Sequence, residues 1–290
     1  MKEPSLQSRN PVLNRINHER AEGGAGYAYD EGKSAFNAAS SGVTTKAAVQ
    51  AGATGDAPVS TGSGSRVTLN DVVAKTLINF VFLLVGSVIG WQAAPTAPWL
   101  MWVAMLVGLG LALANIFKKA VSPPLVLAYA FVQGIFLGGI SYFYDQLVQQ
   151  VEYEGLVGQA IIGTFVAFGV MLLLYSTNII KVNGKFMRVM MVALISYALI
   201  AVASLVAALF GVGGGWGFYG VGWLGIALCA VGVILAAFTL NLDFEAIKQG
   251  IAMGLPERES WRMSFGLLVT LIWLYLEILR LLAIVALSRE

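Results

Sequence analysis

From residue 72 onward the chain alternates between long apolar runs and short polar or proline-containing breaks. The runs fall at 72 to 91, 97 to 117, 121 to 143, 156 to 177, 186 to 211, 221 to 245 and 262 to 286. A hydrocarbon layer of about 30 Å needs on the order of 20 helical residues to cross it, and a helix is the only open element that satisfies its own backbone groups in lipid. The pattern therefore predicts an all-α polytopic membrane protein with seven transmembrane helices. Thr68, with Asp71 three residues later, reads as a capping box at the start of the first helix. Pro95, Pro98, Pro123, Pro124, Gly184 and Pro256 punctuate the breaks between runs.

Upstream of these runs the pattern stops. Residues 21 to 65 are rich in Gly, Ala, Ser and Thr and poor in bulky aliphatics, so they bury too little surface to offset the entropy of ordering. Residues 1–70 are expected to be a disordered tail and 71–290 the seven-helix domain. No cleaved leader is expected, because the first long apolar run begins only after residue 71.

Composition agrees with a lipid environment: of 290 residues, 58% are apolar and 12% charged, about half the usual charged fraction of a soluble domain. A net charge of +2 with no basic cluster argues against nucleic acid as a partner. Cys229 is the single cysteine and His18 the single histidine. That leaves no disulfide framework, no Cys/His zinc site, and no histidine base for a nucleophile in the apolar region. The chain is not expected to be an enzyme.

The charges that exist alternate from break to break. Lys118 and Lys119 follow the second run, Lys181, Lys185 and Arg188 the fourth, and Lys248, Arg258 and Arg262 the sixth. The other breaks carry no Lys or Arg, and the one after the third run is acidic, with Asp145, Glu152 and Glu154. The positive-inside rule then puts the N-terminus in the cytoplasm and the C-terminus outside. Trp91, Trp99, Trp102, Trp216 and Trp223 mark the outer interface, and Gly211 to Gly222 reads as a flexible outer loop without the spacing of a phosphate cradle. Gly108, Gly110, Gly134, Gly138 and Gly139 read as positions of close helix packing.

Ionisable side chains inside a span cost a few kcal/mol each and mark pathways or partners. Beyond Lys75 at the start of the first run, they are Asp243 and Glu245 late in the sixth and Glu277 and Arg280 in the seventh. The last two helices are sequence neighbours and form an antiparallel hairpin in which Asp243 and Glu277 are candidates to meet. If the connection turns near Ser260 the two align; if it turns at Gly254 to Pro256 they miss by roughly 12 Å at 1.5 Å per residue. Aligned carboxyls in a low dielectric do not both ionise easily, which makes a pH sensor, and when ionised they offer the hard oxygens that calcium takes. The competing readings are that Arg280 neutralises Glu277 in a structural ion pair, and that Asp243 and Glu245 lie at headgroup level beside Lys248.

The residues around these acids are also recognisable. TLNLDFEAI at 239–247 and WLYLEILRLLAI at 273–284 resemble the paired signature of the Bax-inhibitor family, the transmembrane Bax inhibitor motif proteins. YAFVQGIFLGGIS at 129–141 is similar to the family's third-helix pattern, and RNPVL at 9–13 with VTLNDVVAKT at 67–76 to its bacterial branch with long N-terminal tails. The resemblance implies a central helix wrapped by others in a bacterial plasma membrane, and a pH-sensitive calcium or cation leak channel or exchanger governed by a carboxyl dyad. The sixth-helix aspartate of the motif falls on Asp243 and the last-helix acid on Glu277, which are then the pH-sensing, ion-pathway and calcium-ligating residues, with Arg280 and Glu245 as modulators. Three positions depart from the pattern: Glu277 stands for the commoner aspartate, Arg280 for an uncharged residue, and Gln133 for a third-helix acid. No resident cofactor is implied beyond transiently bound calcium. The alternative function is a non-conducting regulator that binds a membrane protease or another membrane partner through its tail and basic loops.

Overall fold

A computed structural model describes residues 65–288 of the chain. Among these, seven helices are long and apolar enough to cross a membrane. They are α1 (Leu69–Ala93), α2 (Trp99–Phe117), α3 (Pro123–Gln149), α4 (Leu156–Ser176), α5 (Gly184–Leu209), α6 (Trp223–Ala252) and α7 (Ser260–Leu287). Short 3₁₀ turns at Val212–Gly215 and Gly217–Tyr219 join α5 to α6, and another at Glu257–Glu259 precedes α7. The apolar runs locate every helix but underestimate α3 and α6, which continue to Gln149 and Ala252 as polar turns beyond the hydrocarbon-compatible stretch. The expected tail over residues 1–64 lies outside the described residues.

Helix α7 is the centre of the bundle. It packs against α1, α3, α4 and α6, and buries residues around its whole circumference, from Ser260 and Ser264 through Leu268, Leu274 and Leu279 to Ala283. A helix apolar on all sides and enclosed by others is what a core position in a membrane bundle requires. The outer faces of α1, α2, α4 and α5 instead expose large apolar side chains, among them Val81, Leu106, Ile162 and Leu199, as a lipid-facing surface does.

Helices α1 and α3 are held together by glycine. A Cβ on Gly86 would collide with the carbonyl of Phe131, one on Gly90 with that of Ile135, one on Gly134 with that of Leu83 and one on Gly138 with that of Ser87. The two GxxxG pairs thus face each other and let the backbones approach closely, the standard solution where lipid offers no hydrophobic drive for helix association. Gly108 and Gly139 make room for Gln133 and Met101 in the α2–α3 contact. Gly110 departs from the expectation: nothing lies within 4 Å of its Cβ position, so it serves no packing contact.

The start of α1 is tied to the α6–α7 connection. The capping box forms, with Asp71 N donating to Thr68 Oγ1 and Thr68 N to Asp71 Oδ2. Just before it, Arg66 pairs antiparallel with Pro256, Val67 N donates to Leu255 O at 2.8 Å, and Glu257 N donates to Ser65 O at 2.7 Å. Residues 65–68 are therefore part of the fold, a correction to the expected tail boundary at 70, and the reason is this backbone pairing with a distant loop. Lys75 adds hydrogen bonds to Ser260 Oγ at 2.6 Å and Glu257 Oε1 at 3.1 Å.

The same connection fixes the register of α6 against α7. Gly254 adopts a left-handed conformation (φ 63°), with Leu255 N donating to Gly250 O and Gly254 N to Ile251 O, a Schellman cap that ends α6 abruptly. The chain turns at Gly254 to Pro256, and Ser260 already belongs to α7.

Candidate functional site

With the turn at Gly254, the α6–α7 hairpin carries two separate polar sites rather than one. Glu277 faces Gly232, its Cδ and Oε2 2.7 Å from the position a Cβ would take there. Asp243 faces Gly266, with Oδ1 3.8 Å from the corresponding position, and lies beside Thr270. Gly232 precedes Asp243 by eleven residues and Gly266 precedes Glu277 by eleven. At 1.5 Å per residue the two carboxyls stand about 16 Å apart along the hairpin. The expected dyad is corrected accordingly: the structure does not bring Asp243 and Glu277 together, and they do not share a cation site in this arrangement. No cluster of three or more metal-ligating side chains occurs among the described residues.

The Asp243 site lies toward the face that carries the basic connections. Its Oδ2 is buried and accepts no hydrogen bond, and among the described residues no cation stands within ion-pair distance. Thr270 keeps a weak bond to Gly266 O at 3.3 Å. Nearby depths hold two buried amides, which carry no formal charge. Asn79 of α1 is fully buried and donates to Ser264 Oγ of α7 at 2.9 Å, leaving its Oδ1 without a partner. Asn241 of α6 is also fully buried, and neither of its amide atoms is partnered. Buried polar atoms left bare cost ~1–3 kcal/mol each, so such a concentration is unusual for a purely structural core. Glu245 is held at the edge of α6, accepting from Tyr175 Oη at 2.7 Å and Gln249 Nε2 at 3.0 Å, and takes no part in the Asp243 site.

The Glu277 site lies toward the opposite face and is satisfied at one oxygen only, its Oε2 being buried without a hydrogen bond but facing a cation, Arg280. Glu277 is 4% exposed; its Oε1 accepts from Tyr197 Oη of α5 at 2.9 Å and from Trp273 Nε1, one turn earlier, at 3.0 Å. Arg280 Nη1 stands 3.9 Å from Oε2, at the limit of an ion pair, while its guanidinium stacks over the Tyr219 ring at 4.7 Å from the centroid. Arg280 thus faces both the acid and an aromatic wall, close to the reading in which it neutralises Glu277.

Tyr219 comes from the α5–α6 connection, which is not the bare loop expected of a glycine-rich stretch. Its two 3₁₀ turns fold inward, Phe218 N donates to Ser204 Oγ at 2.9 Å, and Tyr219 is buried against Tyr197. Trp216, expected at the membrane interface, packs its ring 6.0 Å from those of Phe143 and Tyr144. The apolar and aromatic residues among the glycines give this segment a core of its own. Trp99, Trp102 and Trp223 remain exposed, as interface anchors should. Of the partners of Glu277, Trp273 was readable from its i,i+4 spacing; Tyr197 and Tyr219 come from distant elements and had no local signal.

Comparison with known proteins places this architecture. A family model described as Bax inhibitor 1 like matches residues 10–287. No curated protein matches the chain.

Proposed function

Since the chain belongs to the Bax inhibitor 1-like family, we propose that it is a cation leak protein of a bacterial plasma membrane, with calcium as its ion and its basic connections in the cytoplasm. In this reading Asp243 alone, and not an acid pair, is the carboxylate that the ion meets. The observation that supports it is the buried, unpartnered Oδ2 of Asp243, opposite uncharged Gly266 and Thr270. A carboxyl with one oxygen left bare at membrane depth costs free energy, which direct ligation by a cation would offset. One carboxylate with a neighbouring hydroxyl falls far short of the six to eight oxygens calcium takes when firmly bound, which suits passage rather than storage. Protonation removes the negative charge that attracts the ion, so flux falls on acidification.

The test is calcium entry into vesicles that hold the full chain and an internal calcium dye. Asp243→Asn, close to isosteric, is expected to lower the initial rate at least tenfold; an unchanged rate overturns the reading.

A second reading is favoured by Arg280, whose positive charge beside Glu277 opposes cations in the other half of the bundle. It makes the protein a non-conducting regulator that binds a membrane protease or another membrane protein through its basic connections and N-terminal residues. Removing residues 1–64 separates the two, because a leak keeps its flux whereas a regulator loses its partner.

A further inference from the structure

A cavity of roughly 570 Å³ opens sideways between α1 and α4, floored by α3 and α7. Such a volume is typical of small-molecule sites. The two flanking helices are not packed side by side; Phe80 and Phe165 meet edge to face, with centroids 5.8 Å apart, and close one end. The mouth is bordered by Leu84, Val88 and Ile161, all exposed on the lipid-facing surface. At the other end Trp91 and the exposed Gln92 form the rim.

The chemistry of the lining selects the occupant. Each hydroxyl that reaches the cavity already takes part in a hydrogen bond within the protein. Ser87 Oγ donates to Leu84 O at 2.8 Å, Thr164 Oγ1 to Ala160 O at 2.7 Å, and Ser141 Oγ pairs with Tyr275 Oη at 2.6 Å. The interior therefore offers few polar groups to an ion or a file of water, which need several partners, and favours apolar matter. Its length is equally specific. From Phe80 to Gln92 the wall of α1 runs twelve residues, about 18 Å, close to one leaflet of a bilayer whose hydrocarbon core is about 30 Å thick. A polar rim at interface depth above a dry apolar slot one leaflet deep matches an amphiphile with its head at Gln92 and its tail toward Phe80.

We propose that this cavity is a lipid site: one acyl chain of a phospholipid, from the leaflet on the side of the α1–α2 connection, enters between α1 and α4 and lies against α3 and α7. The site is distinct from both carboxyl sites and independent of whether the protein conducts ions.

The experiment uses the full chain in phosphatidylcholine vesicles that contain a phosphatidylcholine with a photoactivatable diazirine in its acyl chain. After illumination, adducts are mapped by peptide mass spectrometry. Adducts are expected on Leu137, Ile272 and Tyr275, which are buried behind α1 and α4. Val88 is 56% exposed at the mouth, so Val88→Trp fills the entrance without disturbing the core. It is expected to cut the interior adducts at least fivefold while those on outward-facing Val81 and Val166 persist; Leu84→Trp is the second plug. Adducts confined to outward-facing residues of the unaltered chain overturn the proposal. So do interior adducts that both plugs leave intact, or crosslinks between two copies of the chain in place of lipid adducts.

Discussion

The Glu277 carboxyl occupies the space that a side chain on Gly232 would need, with Tyr197 Oη pressed into the same gap. This contact pins α6 to α7 at one depth and, through the helical repeat, sets every other pairing along the hairpin. Gly232→Ala must displace the Glu277 carboxyl and the Tyr197 hydroxyl, which are hydrogen-bonded to each other, and overpacking of this kind costs ~1–3 kcal/mol. Thermal unfolding in detergent is expected to fall by several degrees for Gly232→Ala.

The glycine contacts of α1 and α3 make a contrast within one protein. Gly134→Ala and Gly138→Ala each place a methyl group on a carbonyl of α1, whereas Gly110→Ala meets nothing within 4 Å. The first two are expected to lower the melting temperature clearly, and the third to leave it unchanged or raise it, since alanine is favoured over glycine in a helix by up to ~1 kcal/mol. Parallel melting curves of the three variants check this.

Ser264→Ala removes the one hydrogen-bond partner of the fully buried Asn79 amide. Interhelical hydrogen bonds in membranes are worth ~0.6 to 2 kcal/mol, so a loss of about 1 kcal/mol is expected. Asn79→Leu combined with Ser264→Ala should cost less than the sum of the single changes, because no amide is then left bare. A double-mutant cycle by reversible denaturation measures the coupling.

Lys75 joins α1 to the start of α7 through Ser260 and Glu257. Lys75→Met is expected to raise amide hydrogen exchange at Val67 and Glu257, whose N–H groups carry the cross-loop pairing. The effect on overall stability should stay at or below ~1 kcal/mol, since Glu257 is substantially exposed and the ion pair is screened.

The spans were legible because lipid demands a long apolar run for each helix, and that demand is met within a single segment of sequence. The capping box at Thr68 and Asp71 was legible for the same local reason. What the sequence left open was register: a turn at Gly254 and a turn at Ser260 were both compatible with the chain, and only the left-handed cap at Gly254 decides between them. That difference of a few residues separates Asp243 from Glu277 and dissolves the expected pair. Asn79, Asn241 and Thr270 carry no formal charge and so do not stand out in an apolar run, although a buried amide in lipid also demands partners. Tyr197 and Tyr219 reach Glu277 from elements far away in sequence, where periodicity carries no information.

The most direct test of an Asp243 that works without Glu277 compares calcium entry into vesicles for the unaltered chain, Asp243→Asn, Glu277→Gln and the double variant. Glutamine retains the acceptor that Tyr197 and Trp273 use, so the Glu277 site should persist. The account predicts that Glu277→Gln keeps at least half of the initial rate and that the double variant is as slow as Asp243→Asn. Loss of flux in Glu277→Gln equal to that in Asp243→Asn would contradict it.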